Sequence, residues 1–201
     1  MIVKSHPKKG VLSDFRSPPH GFTLVEIIVI LAVISILVAV LTPTVLKYIS
    51  EAQGDRAQKD VTMINAMIND LIKDTGKYPG AKLDTTVPAN TFLCGPGTVG
   101  QAGWGTTGTC ETLANHLVTN SPGTAATTDD YPSTGKFAWS GPYITNLSED
   151  PWGNAYQINA STLVGSNTSV TWVISAGPDG TFQTSVASTS LSGDDVGVRI
   201  K

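Results

Sequence analysis

The spacing of apolar positions divides the chain into stretches of different period. Residues 27–41 are fifteen consecutive positions with one polar side chain, Ser35. Together with residues 22–25 the run reaches the roughly 20 residues that a helix needs to cross about 30 Å of hydrocarbon. From Ala57 onward the period changes. Ala57, Val61, Ile64, Ile68 and Leu71 recur every three or four residues, Met67 and Ile72 widen the stripe, and Lys59, Asp60, Asn65, Asp70 and Lys73 fall on the other faces. This predicts an amphipathic helix with one side for a core to cover. Gly76 predicts a left-handed cap, after which Tyr78-Pro79-Gly80 turns the chain away. In the last third, 155–159, 170–175 and 196–200 are rich in β-formers, with Tyr156, Ile158, Trp172 and Ile174 facing inward. Gly165-Ser166-Asn167-Thr168 supplies a turn between the first two.

A helix from Phe22 to about Thr75 is roughly 80 Å long at 1.5 Å per residue. Pro43 lies inside it and predicts a kink or local loosening, because proline removes one backbone hydrogen bond. The 120 or so residues that follow are too few to bury such a rod. Its free half therefore meets lipid, or other copies of itself. The expected fold is α+β, a long N-terminal helix, transmembrane then amphipathic, packed on a small antiparallel sheet of three strands around one core. The expected divisions are a leader at 1–21, a membrane and polymerisation segment at 22–45, and the amphipathic helix with its globular head at 46–201.

One carboxylate, Glu26, lies within the apolar span. A charge there costs on the order of 3 kcal/mol even on lenient insertion scales, so a cationic partner is implied. If the chain is cut after Gly21, the new α-amine of Phe22 lies about one helical turn from Glu26. It can pair with that carboxylate in the same subunit or in a neighbour.

Gly21-Phe22-Thr23-Leu24-Val25-Glu26 ahead of a long apolar helix, with Pro43 near its far end, resembles the processing signal of type IV pilins and of the pseudopilins of type II secretion. The resemblance implies a pilin-like fold, cleavage after Gly21 by a prepilin peptidase, methylation of Phe22, and assembly through Glu26 and Pro43. His20 departs from the Lys or Arg usual in that family before the glycine. Gly76-Lys77-Tyr78-Pro79, Gly141-Pro142-Tyr143-Ile144, Asp150-Pro151-Trp152-Gly153-Asn154-Ala155-Tyr156-Gln157, Ser175-Ala176-Gly177-Pro178-Asp179-Gly180 and Asp194-Asp195-Val196-Gly197 are similar, in that order, to segments of major pseudopilins. The segment carrying the cysteines has no counterpart among these motifs. The implied function is that of a structural subunit, not an enzyme: a homopolymer built through the N-terminal helices that drives protein export as a periplasmic pseudopilus. Its implied partners are minor pseudopilins and an inner-membrane secretion platform. The alternative is a type IV pilin subunit of a surface fibre serving adhesion, motility or DNA uptake.

The same resemblance implies a calcium ion in the final loop, with Asp179 and Asp195 as side-chain ligands, the carbonyl of Ala176 as a third, and Asp194 as an additional one. A hard cation fits clustered carboxylates, which repel one another without it. The intervening stretch 181–193 is longer than the family pattern leads one to expect. The alternative is a turn at Asp179-Gly180 and a solvated pair at Asp194-Asp195.

Composition and charge narrow the setting. Of 201 residues, 14% are charged, which suits an exported protein. Lys4, Lys8, Lys9 and Arg16 against Asp14 give the leader +3, so its removal takes the formal −3 of the chain to about −6. Positive charge beside a membrane helix stays cytoplasmic, which puts the C-terminal bulk outside; the resemblance implies that this is a single pass through the bacterial inner membrane with the C-terminal domain in the periplasm. An acidic exterior argues against nucleic-acid binding. A cleavable secretory signal is the rival reading, but Val40-Leu41-Thr42 is a poor cleavage site and helical pattern continues beyond it.

In an oxidising compartment Cys94 and Cys110 are expected to pair, closing a loop of about sixteen residues and contributing on the order of 3 kcal/mol. A zinc site is the alternative, and with only His116 nearby in sequence it lacks four ligands. The loop 95–109, with Trp104, is expected to be an exposed excursion. In 150–154, Asp-Pro opens a turn and Trp152 is expected to cover the core. His116 is the one histidine beyond the leader, too few for a Ser-His-Asp or histidine-metal centre. A membrane-tethered, calcium-dependent enzyme therefore lacks a recognisable nucleophile and base.

Overall fold

The computed structural model describes residues 21–79, 92–99, 103–105, 110–123, 130–163 and 168–200. Nearly all of the expected leader, Gly80 and the turn residues 165–167 lie outside them. Two units divide the chain, Met1–Leu46 and Lys47–Lys201.

In the first unit a single helix, α1 (Leu24–Thr75), begins and continues through Pro43 into the second. Every described residue of the first unit is exposed. An 18-residue window within α1 has a mean hydropathy of 3.2, so by length and composition the helix can cross a membrane. The hydroxyls within this apolar stretch are satisfied by its own backbone: Ser35 Oγ donates to the Leu31 carbonyl and Thr42 Oγ1 to that of Val38, each at 2.7 Å. Such internal satisfaction is what hydrocarbon surroundings require.

In the second unit α1 buries Ala57, Val61, Ile64, Ile68, Leu71 and Thr75, the stripe expected from the 3.6-residue period with one threonine added. The helix ends on Gly76, whose φ of 63° only glycine adopts at little cost and whose N–H donates to the Ile72 carbonyl at 2.8 Å.

Among the described residues the sheet has five strands: β1 (Phe92–Cys94), β2 (Cys110–Thr112), β3 (Gln157–Ile158), β4 (Trp172–Ser175) and β5 (Val196–Arg199). Their spatial order is β2-β1-β3-β4-β5, with β1 and β2 parallel and the other pairs antiparallel. A short helix, α2 (Leu113–Leu117), follows β2 directly. The three C-terminal strands lie where the β-rich stretches predict them. β1 and β2 correct the expected three-stranded sheet; they flank the stretch 95–109 expected to be loop, at positions where no strand is expected.

Register explains a second correction. Ile158 stands opposite Val173 and Leu93 opposite Ile158, so these three share the face that packs with Val61, Ile64, Ile68 and Leu71 of α1. Gln157 stands opposite Ile174, which puts Trp172 and Ile174 on the other face. There they form a separate core with Trp104, Ala176 and Phe182. The expected single core is therefore two, and β4 is buried on both faces.

Hydroxyl groups fasten helix to head. Tyr156 Oη donates to Asp60 at 2.9 Å and Tyr143 Oη to Asp74 at 3.1 Å, so acids on the flanks of the apolar stripe are tied down by the domain it covers.

Candidate functional sites: the helix start and the carboxyl-terminal loop

At the start of α1, Thr23 and Glu26 form a reciprocal cap. Thr23 N–H and Oγ1 both donate to Glu26 Oε2 at 2.8 Å, and Glu26 N–H donates to Thr23 Oγ1 at 3.2 Å. This is a capping box, which satisfies donors that a helix leaves orphaned at its start. Its sequence signal is Thr followed three residues later by Glu, a partner for Glu26 distinct from the Phe22 amine expected within one subunit or from a neighbour. Within one chain the carboxylate already has partners. Gly21 and Phe22 lie just ahead of the cap, both exposed, and Pro43 sits nineteen residues beyond Leu24 within the helix.

At the far end of the chain the four residues expected to hold a cation differ in environment. Asp195 is 7% exposed; its Oδ2 accepts N–H groups of Gln183 at 3.0 Å and Thr184 at 2.6 Å, while its buried Oδ1 has no hydrogen-bond partner. Burial pushes this carboxyl above its usual range, opposed by the Thr184 and Gln183 hydrogen bonds. Asp179 is exposed, and its oxygens accept the Thr181 N–H at 2.7 Å and the Gln183 side-chain amide at 2.6 Å. Asp194 is half-buried, with its carbonyl packed on the α-carbon of Gly177, where any β-carbon would clash. The Ala176 side chain lies in the second core. Among the described residues no group of three or more His, Cys, Asp or Glu side chains is close enough to hold a metal. An orphaned, buried carboxylate oxygen on Asp195 is chemistry that fits a cation; the diversion of Asp179 to Gln183 is the part that does not yet converge on it.

Two indoles order the long stretch 181–193. Trp104 Nε1 donates to the Thr184 carbonyl at 2.7 Å, and Trp172 Nε1 to that of Ser188 at 2.9 Å. Thr184 Oγ1 accepts the Ser192 N–H at 2.9 Å. The extra length is thus held by specific bonds.

The turn before β3 is anchored by a carboxylate. Asp150, 2% exposed, accepts the N–H groups of Trp152 at 2.9 Å and Asn154 at 2.7 Å on Oδ1, and the Ser175 hydroxyl at 2.5 Å on Oδ2. Asn154 Nδ2 donates to the Gly177 carbonyl at 3.0 Å, tying this turn to the start of the C-terminal loop. Trp152 is half-buried and in neither core, which corrects the expectation that it caps the interior.

Cys94 and Cys110 form the expected disulfide, linking diagonal positions on β1 and β2 with a Cα–Cα separation of 5.6 Å. Of the described residues in the connection they close, Pro96, Gly97, Thr98 and Gly103 are exposed as expected, whereas Trp104 and Gly105 are buried. Trp104 is 3% exposed and stacks with Phe92 and Phe182 at 5.9 and 5.0 Å between ring centroids. His116, fully buried, is bonded through Nδ1 to Tyr131 Oη at 2.7 Å and through Nε2 to Glu111 Oε1 at 3.0 Å. Glu111 Oε1 also accepts the Gly123 N–H at 2.6 Å. Those partners hold α2 and its surroundings against β2.

Comparison with known proteins agrees with the motif reading. Residues 16–42 match the prokaryotic N-terminal methylation motif, and 115–192 match the family described as type II secretion system (T2SS), protein G. The first match brackets Gly21, Phe22 and Glu26; both cysteines, Asp194 and Asp195 fall outside the second. Over 161 residues the chain is 25% identical to the type II secretion system core protein G of Dickeya chrysanthemi, covering 80% of this chain and 78% of that protein. No solved structure matches the chain.

Proposed function

We propose that this chain, which pairs a methylation motif with a protein G domain of type II secretion, is the structural subunit of a periplasmic pseudopilus and not an enzyme. The observation that carries the reading is the exposed apolar half of α1. Residues such as Ile28, Leu31, Ile36 and Leu41 are exposed, uncovered by any described residue of their own unit. An exposed surface of this kind is stable only in lipid or against other apolar helices. Before assembly it anchors the subunit in the inner membrane with the C-terminal unit in the periplasm; in the filament it packs on copies of itself. Prepilin peptidase cuts between Gly21 and Phe22 and methylates the new amine. Glu26 then turns from its cap with Thr23 toward the Phe22 amine of an adjacent subunit, and the growing polymer, with minor pseudopilins and the inner-membrane platform, drives protein export.

Glu26→Leu tests this reading. The variant is expected to insert in the membrane and be processed, yet to abolish filament assembly and secretion, scored by crosslinking and export of a native cargo. Normal export by the variant overturns the pairing argument.

Calcium belongs to the same reading. Asp195 would supply its orphaned oxygen, joined by Asp179, the Ala176 carbonyl and Asp194; when bound, the cation neutralises clustered negative charge. Chelation is expected to lower the melting temperature of the wild type and to leave Asp195→Ala unaffected. Equal shifts in the two proteins count against a calcium site.

A further inference from the structure

The segment that carries both cysteines and Trp104 lies outside both family matches, yet it reaches the loop proposed to hold the cation. We propose that the Cys94–Cys110 disulfide, with Trp104 and Gly105 packed beside it, is a clasp, and that Trp104 is a positioning residue for Asp195. This rests on the calcium reading only for what the positioned carboxylate binds.

A short series of contacts runs from the disulfide to the carboxylate. Gly105 sits directly on the disulfide: a β-carbon at that position would collide with Cys110 Sγ and Phe92. The Gly105 carbonyl accepts the side-chain amide of Gln157 at 3.1 Å, which fixes the connection to the central strand β3. One residue earlier, the Trp104 ring is clamped between Phe92 of β1 and Phe182 of the C-terminal loop. Its indole N–H donates to the Thr184 carbonyl at 2.7 Å, and the Thr184 N–H donates at 2.6 Å to Asp195 Oδ2. One peptide unit away, the Gln183 N–H reaches the same oxygen at 3.0 Å. Both bonds to Oδ2 therefore hang on a backbone segment that Trp104 holds, and they turn the other oxygen, Oδ1, into its buried and partnerless position.

The disulfide supplies the rigidity this arrangement needs. β1 and β2 are three-residue strands, and among the described strands β2 lies at the edge of the sheet. Pairs that short hold poorly without help. Linking Cys94 to Cys110 fixes both ends of the connection, so that Trp104 arrives at Thr184 already ordered.

The test is amide hydrogen exchange on the full chain in detergent micelles, in wild type, Trp104→Phe and Cys94→Ser/Cys110→Ser. Phenylalanine keeps an aromatic ring at this position and loses the donor together with the indole's second ring. Exchange at Gln183 and Thr184 is expected to quicken about tenfold in both variants, roughly the loss of one ordinary hydrogen bond. Protection of the β4 amides, which reports global folding, is expected to stay near wild type in Trp104→Phe and to fall in the disulfide-free variant with the stability the crosslink contributes. Unchanged exchange at 183–184 in either variant, or equal quickening at 183–184 and in β4 of Trp104→Phe, overturns the clasp. A parallel titration with calcium separates the two readings. Weaker binding by Trp104→Phe supports positioning of Asp195, and binding equal to wild type overturns it. Wild type that binds no calcium refutes the cation while the exchange result still decides the clasp.

Discussion

Replacing Asp150 tests whether a single buried carboxylate holds the turn before β3. Its three bonds, from the Trp152 and Asn154 N–H groups and the Ser175 hydroxyl, are charge-assisted and removed from water. Such bonds contribute about 1.5–3 kcal/mol each, and because they share one group their losses overlap. Asp150→Ala is therefore expected to cost about 4 kcal/mol, a fall of about 8–16 °C in melting temperature for a unit of this size. Asp150→Asn keeps an acceptor for both N–H groups. It puts an amide against the Ser175 hydroxyl, which donates to Asp150 and accepts the Gly177 N–H at 3.1 Å, and must turn around; the cost is about 1–2 kcal/mol. Thermal melts of the full chain in micelles, followed by near-ultraviolet circular dichroism, rank the variants. Alanine costing less than about 1 kcal/mol, or asparagine as damaging as alanine, refutes the argument.

Two further outcomes follow from packing and burial. Ile68→Ala, fully buried on the head-facing side of α1, is expected to cost about 2–5 kcal/mol in urea unfolding, whereas Met63→Ala, 40% exposed on the same helix, stays within about 0.5 kcal/mol. Burial, reinforced by Glu111 at Tyr131 and by Asp60 at Tyr156, holds both hydroxyls protonated well above the normal tyrosine range. Because an unfolded tyrosine gives up its proton near 10 and these keep theirs, stability is expected to fall as pH climbs beyond about 10. In a spectrophotometric titration these two of the five tyrosines ionise only as the head unfolds; early and reversible ionisation of all five contradicts the burial argument.

The parts of the fold legible in the sequence are those with long periods. The stripe from Ala57 to Leu71 needs four turns to establish itself, and all five of its positions are buried. Phe92-Leu93-Cys94 and Cys110-Glu111-Thr112 are too short for alternation to show, and glycine and threonine around them dilute any pattern. Their parallel pairing is a long-range fact that no local signal carries. The same brevity hid the burial of Trp104, because a lone indole among glycines gives no face to assign. Trp172 and Ile174 were legible as inward but not as belonging to a different core from Ile158, since alternation marks two faces without saying that both are covered. The N-terminal methylation motif that brackets Glu26 was legible from a dense local pattern. The Asp195 environment was not, because its hydrogen bonds come from residues eleven and twelve positions away.

The double covering of β4 bears on how this chain can drift over generations. A strand with one wet face accepts polar replacements at every second position, and its history shows as alternating constancy. Trp172, Val173, Ile174 and Ser175 have no wet face, so the strand is expected to vary as a block or not at all. Variation in the head is then pushed outward to its rims, where a lineage can remodel the exposed surface without disturbing the strand beneath.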